Sequence, residues 1–198
     1  DTLLNIYNEC VKAGSPDLPI IFTSTSKITF PGAGVAVEAA SPNNVALLKG
    51  RMKYQTIGPD KLNQLRHARM FRTVSDIERH MKRHAAILRP KFETVEKELQ
   101  KQLGDTGVAR WTTPKGGYFI SLYVLEGCAK RVEQLCANAG MILTPAGATY
   151  PYGTDPKDSN IRIAPSYPSV EEIEKASEVL ALAVRYAALE KLLSDKEN

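Results

Sequence analysis

The sequence predicts an α/β fold built in two parts, and three observations predict it. Short apolar runs rich in β-branched residues, such as Ile20–Phe22 and Asn160–Ala164, alternate with segments of helical period. A long helical passage from about residue 76 to 103 separates one group of these elements from the other. Clusters of Gly, Pro, Asn and Asp punctuate the boundaries. With 198 residues the chain suffices for one good-sized domain or two small ones. A boundary near Arg89 gives domains of 1–88 and 89–198.

In chain order, Leu3, Leu4, Tyr7 and Val11 suit a short amphipathic helix over 3–13, ended by Gly14-Ser15-Pro16. Because that pattern starts at Asp1, the chain reads as a piece that begins mid-domain. Strands are expected at 20–23 and 35–40, both apolar at most positions and so both buried. Ser41-Pro42-Asn43-Asn44 is a turn and N-cap for a helix from Val45 to Tyr54, and a further helix is expected from Asp60 to Phe71. Two helical stretches, Asp76–Arg89 and Lys91–Leu103, flank Pro90, which should kink or interrupt them.

The second part reads as a turn from Trp111 to Gly117, a strand from Tyr118 to Val124, and a helix from Cys128 to Ala139 closed by Gly140. A short strand at Met141–Thr144, an irregular loop from Pro145 to Ser159 and a strand at Asn160–Ala164 follow. A last helix runs from Ser169 to about Leu193, with Ser169 and Glu172 in the form of a capping box. Val170, Ile173, Ala176, Val179, Leu180, Ala183, Val184 and Ala187 supply its apolar face, and Ser194 to Asn198 should fray.

Two stretches carry chemistry. In the first, Ile20–Phe22 gives way to Thr23-Ser24-Thr25-Ser26-Lys27 and closes on Pro31-Gly32-Ala33-Gly34. An amine poorly solvated at the end of a buried strand is placed to act as a nucleophile toward a carbonyl. The hydroxyls of Ser24 and Ser26 can donate to an anion, and the glycines admit close backbone approach. By residue type alone, Lys27 reads equally as a solvated loop lysine. The order of a phosphate-binding P-loop is absent. In the second stretch, Arg162 lies between Ile161 and Ile163, so it faces away from them on a strand. Its planar fork suits a carboxylate, either a ligand's or an internal salt-bridge partner's.

Ser24-Thr25-Ser26-Lys27 with Pro31-Gly32 resembles the Ser-x-Ser-Lys-x-x-x-x-Pro-Gly segment of fold type I pyridoxal-phosphate aminotransferases. Asn160-Ile161-Arg162 through Ser166 resembles that family's Asn-x-Arg-x-x-x-Ser strand, and Pro114-Lys115-Gly116-Gly117-Tyr118-Phe119 its Pro-x-Gly-Gly-x-Phe segment. With Ile57–His67, these matches are most similar to an atypical class I subgroup of aspartate aminotransferases and MocR-type aminotransferase-like proteins. The resemblance implies the end of the large cofactor-binding domain followed by the small C-terminal α/β domain. It implies pyridoxal 5'-phosphate as cofactor, held by Lys27 as a Schiff base, with Lys27 also the proton shuttle and Ser24 and Ser26 as cofactor ligands. It implies Arg162 as the residue that binds the substrate α-carboxylate.

The implied reaction is transamination of an amino acid, aspartate or glutamate, with a 2-oxo acid. Alternatives on the same resemblance are β-elimination and the ligand-sensing module of a transcription regulator; a cofactor-free scaffold is a third. The segment Thr56–Gln64 implies a homodimer, because its family counterpart reaches the partner's active site. The family's phosphate-clamping arginine after Pro-Gly is replaced here by Ala33-Gly34-Val35. Its residues for the cofactor ring precede the lysine and have no match here, so this piece alone is expected to be inactive.

The rest of the composition is ordinary. Hydrophobic residues make up 43% and charged residues 24%, and the net charge of +4 is too small to call for nucleic acid or a membrane surface. No apolar run is long enough to span a bilayer. Cys10, Cys128 and Cys136 are too few and too odd for a disulfide framework and fit the cytoplasm, with Cys136 a small core residue. His80 and His84 share a helix face, but Arg79, Lys82 and Arg83 beside them favour a solvated basic face over a metal site.

Overall fold

The computed structural model describes residues 4–197, which form two units divided between His84 and Ala85. Leu3 of the expected first helix lies outside the described residues, as do Asp1 and Asn198. In the first unit, helix α1 (Ile6–Lys12) starts where the Asn5 side chain accepts the amides of Tyr7 and Asn8. Strands β1 (Ile21–Ser24) and β2 (Ala36–Ala39) pair antiparallel, Ile21 opposite Ala39 and Ser24 opposite Ala36. Helix α2 (Pro42–Met52) is capped by Ser41, whose hydroxyl accepts the Asn44 amide. It begins three residues before the expected Val45, because proline is well suited to the first helical turn. Helix α3 (Lys61–Met70) is capped by Asp60.

Neither β1 nor β2 is buried, against expectation. Phe22 is 72% and Val37 53% exposed. A lone two-stranded ladder has two faces to cover, and nothing in the unit covers both. The apolar run was therefore a correct sign of a strand and a poor sign of its surroundings.

Helix α4 (Val74–Leu103) runs without a break through Pro90. The expected interruption does not occur. Proline removes one amide donor, while strong helix formers on both sides preserve the remaining ladder. The Thr94 hydroxyl donates to the Pro90 carbonyl at 2.8 Å.

The second unit holds an antiparallel sheet in the order β3 (Ala109–Trp111), β4 (Ile120–Val124), β5 (Asn160–Ile163). Trp111 was expected to open a turn and instead ends the edge strand β3, whose three residues carry too little pattern to be read alone. Helices α5 (Ala129–Asn138) and α6 (Val170–Glu197) belong with this sheet. Leu99 and Leu103 of α4, Ile120 and Leu122 of β4, Ile161 of β5, Val132 and Cys136 of α5 and Leu180 and Val184 of α6 meet in one core. Burial pushes the Cys136 thiol up to about 11, as befits an inert packing residue.

Gly140 follows α5 at φ +83°, the left-handed position that ends a helix cheaply only with glycine. The expected strand at Met141–Thr144 is not formed; Met141 and Leu143 pack against the core from irregular backbone. Ser169 and Glu172 exchange the two bonds of a capping box, at 2.7 and 3.2 Å. Beyond it α6 continues to Glu197, through all the described residues of the stretch expected to fray. No helix among the described residues is long and apolar enough to cross a membrane.

Candidate active site

Lys27 belongs to a single tight turn. After β1 ends at Ser24, the Thr25 amide donates to the Val35 carbonyl at 2.9 Å, pinning the two ends of the loop together. The amides of Ile28 and Thr29 both donate to the Thr25 carbonyl at 2.8 Å, so Lys27 rides on one helix-like turn. It is exposed, which corrects the expectation of poor solvation: with β1 and β2 uncovered, this unit leaves the strand end open to water.

Ser24 and Ser26 flank that turn, and the Ser24 hydroxyl donates to that of Ser26 at 3.2 Å. Gly34 closes the loop against them. A Cβ there would lie 2.6 Å from Ser26 Oγ and 2.9 Å from Ser26 N, so the close approach requires glycine. Two hydroxyls in contact with one another and a lysine on the same turn thus lie within four residues of sequence, residue types suited to a phosphate and an aldehyde.

The loop is gripped from α3. Asn63 donates from Nδ2 to the Gly34 carbonyl at 3.1 Å. One turn later, His67 Nε2 lies 2.7 Å from Thr29 Oγ1 and 3.2 Å from Thr25 Oγ1, while its Nδ1 lies 2.9 Å from the Asn63 carbonyl. Thr25 Oγ1 also accepts the Val35 amide at 2.9 Å. The edge of the His67 ring meets Phe30, with centroids 5.4 Å apart. None of these four residues, Thr25, Thr29, Asn63 and His67, stood out in the sequence. The available signal was spacing: two threonines four apart around the lysine, and two polar residues four apart on a helix.

Arg162, in the second unit, is half-buried on β5 opposite Ser121, with Ile161 and Ile163 buried on the other face as expected. Its guanidinium lies over the Phe119 ring, 4.6 Å from the centroid. Its Nε is shielded from solvent and has no hydrogen-bond partner, and among the described residues no carboxylate pairs with Arg162. The internal salt bridge that residue type alone allowed is therefore not what occupies it. An orphaned, shielded donor fits an incoming carboxylate.

The loop before β5 is held by polar side chains. Asp155 accepts the amides of Lys157, Ser159 and Asn160 at 3.0, 2.8 and 2.9 Å. Burial works to raise its pKa, and these amides outweigh burial and hold the carboxyl below the usual aspartate value. Buried Asn160 takes the Thr149 hydroxyl at 2.7 Å and donates to Ser121 Oγ at 2.8 Å, fixing the residue two before Arg162. Tyr152, at φ +59° on the same loop, is fully exposed.

His80 and His84 do not form the open basic face expected of them. Both are half-buried, their ring centroids 4.4 Å apart, and His80 packs against Phe71 at 5.3 Å. The structure joins Ser24 to Ser26 in the first unit, with Lys27 next on the same turn, and places Arg162 in the second.

The family model described as aspartate amino-transferase matches residues 1–196. A putative aminotransferase of Mycolicibacterium smegmatis is 48% identical over 193 residues, covering 98% of this chain and 45% of that protein. An aspartate aminotransferase of Corynebacterium glutamicum is 48% identical over 178 residues, covering 90% of this chain and 41% of that protein. A crystal structure of an aspartate transaminase from C. glutamicum superposes with a TM-score of 0.91 at 46% identity, covering 95% of this chain and 44% of that one. The chain therefore spans less than half the length of the relatives it matches. On the extent of that match and the agreement of fold, the chain belongs to the aspartate amino-transferase family.

Proposed function

We propose that the protein carrying this chain is a pyridoxal 5'-phosphate-dependent aminotransferase that moves the amino group of aspartate or glutamate to a 2-oxo acid. The observation that carries the proposal is the joined hydroxyls of Ser24 and Ser26 beside Lys27 on one turn, closed by Gly34 where no side chain fits. Residues 1–88 are the end of the cofactor-binding domain in this reading, and 89–198 the small domain. The protein works as a homodimer in the cytoplasm.

When bound, the cofactor supplies the electron sink and carries the amino group between the two half-reactions. The chain's own residues bind and move protons. Ser24 and Ser26 donate their hydroxyl hydrogens to the cofactor phosphate, offsetting in part the arginine that Ala33-Gly34-Val35 lacks. The Lys27 amine is the point of covalent attachment. The same amine, when not so engaged, would be the base that holds and moves the proton of the substrate α-carbon.

Arg162 holds the substrate α-carboxylate in its planar fork. Phe119 covers one face of the guanidinium and so leaves the in-plane donors to the ligand. The amino group gained by the 2-oxo acid equals that lost by the donor, so neither ammonia nor carbon dioxide is released.

The test is the visible absorption of the full-length protein loaded with cofactor, before and after adding aspartate, with Lys27→Ala alongside. A band that shifts with aspartate, and whose lysine-bound form is missing in the variant, supports the reading. A protein that stays colourless with excess cofactor overturns it, and ammonia among the products would replace transamination by elimination.

A further inference from the structure

We infer that His67 is a positioning residue for Lys27, acting through Thr29 and Thr25 as a latch on the lysine-bearing turn; the inference rests on the proposed role of Lys27. The argument begins with proton placement. His67 Nδ1 faces the Asn63 carbonyl at 2.9 Å, and a carbonyl only accepts, so Nδ1 carries hydrogen. In the neutral ring Nε2 is then an acceptor. Its shortest partner is the Thr29 hydroxyl at 2.7 Å, which therefore donates to it.

Thr29 Oγ1 also lies 3.0 Å from Thr25 Oγ1 and 3.2 Å from the Thr25 carbonyl, and Thr25 Oγ1 accepts the Val35 amide at 2.9 Å. The contacts link into one connected series: the Val35 amide to Thr25, Thr25 and Thr29 to each other and both to His67, and His67 to the Asn63 backbone. A series of this kind is mutually polarised and tolerates loss of a member poorly.

Its members bracket Lys27 along the chain. Thr25 and Thr29 stand two residues before and two after the lysine, and both reach the same nitrogen of His67. Asn63, one turn earlier on α3, holds the Gly34 carbonyl at the loop's far end. Phe30 completes the grip through its edge contact with the imidazole. The helix thus sets where the turn stands, and the turn sets where the amine emerges. A hydroxyl lost at Thr29 frees the turn without touching the amine, the paired serines or the glycine.

The experiment uses the full-length protein as wild type, Thr29→Val, Thr29→Ser, His67→Leu, His67→Gln and the Thr29→Val/His67→Leu pair. Two quantities are read. One is backbone amide exchange over residues 25–35 without cofactor. The other is the rate at which added pyridoxal 5'-phosphate becomes bonded to Lys27, trapped by borohydride and counted by mass spectrometry of the Lys27 peptide. Thr29→Val and His67→Leu are each expected to speed exchange about tenfold and to slow attachment by a similar factor, the effect of one hydrogen bond.

Thr29→Ser, which keeps the hydroxyl, and His67→Gln, which offers an acceptor near the place of Nε2, are expected to restore both rates. The double variant should resemble either single one, because both delete the same contact. Should His67→Leu fail to fold, the Thr29 pair still decides. The inference is overturned if Thr29→Val exchanges like wild type, if the two substitutions multiply, or if exchange quickens while attachment keeps its rate. If wild type never bonds cofactor at Lys27, the proposed function fails and positioning of Lys27 for attachment fails with it. Exchange that still depends on Thr29 and His67 would then mark the latch as purely structural.

Discussion

Replacing Arg162 by lysine keeps a positive charge but removes the planar fork that lies over Phe119. The KM for the amino donor is expected to rise about tenfold to a hundredfold, the range for losing a bond to a charged group, with a smaller change in kcat. Steady-state kinetics of the full-length protein checks this; a kcat loss without a KM change would place Arg162 outside substrate binding. The setting of Arg162 was legible in the sequence, because alternation along a strand assigns faces and its apolar neighbours had to turn to the core. The setting of Lys27 was not. Its identity came from the run of hydroxyls, whereas its exposure depends on what covers β1, and no local pattern reports that.

At the level of single elements, the capping box of α6 and the Asp155 clamp before β5 are open to direct test. Ser169→Ala deletes the hydroxyl that accepts the Glu172 amide and is expected to cost about 1 kcal/mol of unfolding free energy in urea. Asp155 sits below its ordinary pKa, so it binds protons less readily folded than unfolded. Its stabilising contribution is therefore complete at neutral pH. It begins to fade as pH falls toward the unfolded aspartate value of about 4 and is gone below the folded one. The stability gap between wild type and Asp155→Asn is expected to narrow over that window; a gap independent of pH would show that the carboxylate charge is not what holds the loop.

Pro90 belongs to the same scale. Its presence predicted a kink or a break, and α4 makes no break, since one missing amide is a local loss and the thirty-residue helix carries many other bonds. The capping signals at Asn5, Ser41, Asp60 and Ser169 are local chemistry and could be read in advance to within a few residues. The three-residue β3 and the unformed strand at 141–144 could not, because a short apolar run becomes a strand only when a ladder partner is beside it.

Across the whole molecule, burial is uneven. The clustered apolar core residues all lie at or beyond Val95, and among the described residues of the first unit only the polar Ser41 and Asn63 are buried. Native-state hydrogen exchange of the 198-residue chain is therefore expected to show slow amides in β4, β5 and α6 and much faster ones in β1 and β2. Comparable protection in both units would contradict the uneven core.

By itself the sequence determined the α/β class, nearly all of the helices and the strands that bear the two site stretches, while Ser24, Ser26, Lys27 and Arg162 came from a family resemblance. The class, helices and strands rest on period, capping and residue chemistry, which act over a few neighbours. Only the tertiary structure decided that β1 and β2 lie open, that Arg162 Nε goes unpaired, and that His67 reaches back some forty residues to Thr25 and Thr29, 42 and 38 positions away. Such contacts are fixed by how elements pack, and packing depends on the shape of the whole chain, which no local pattern carries.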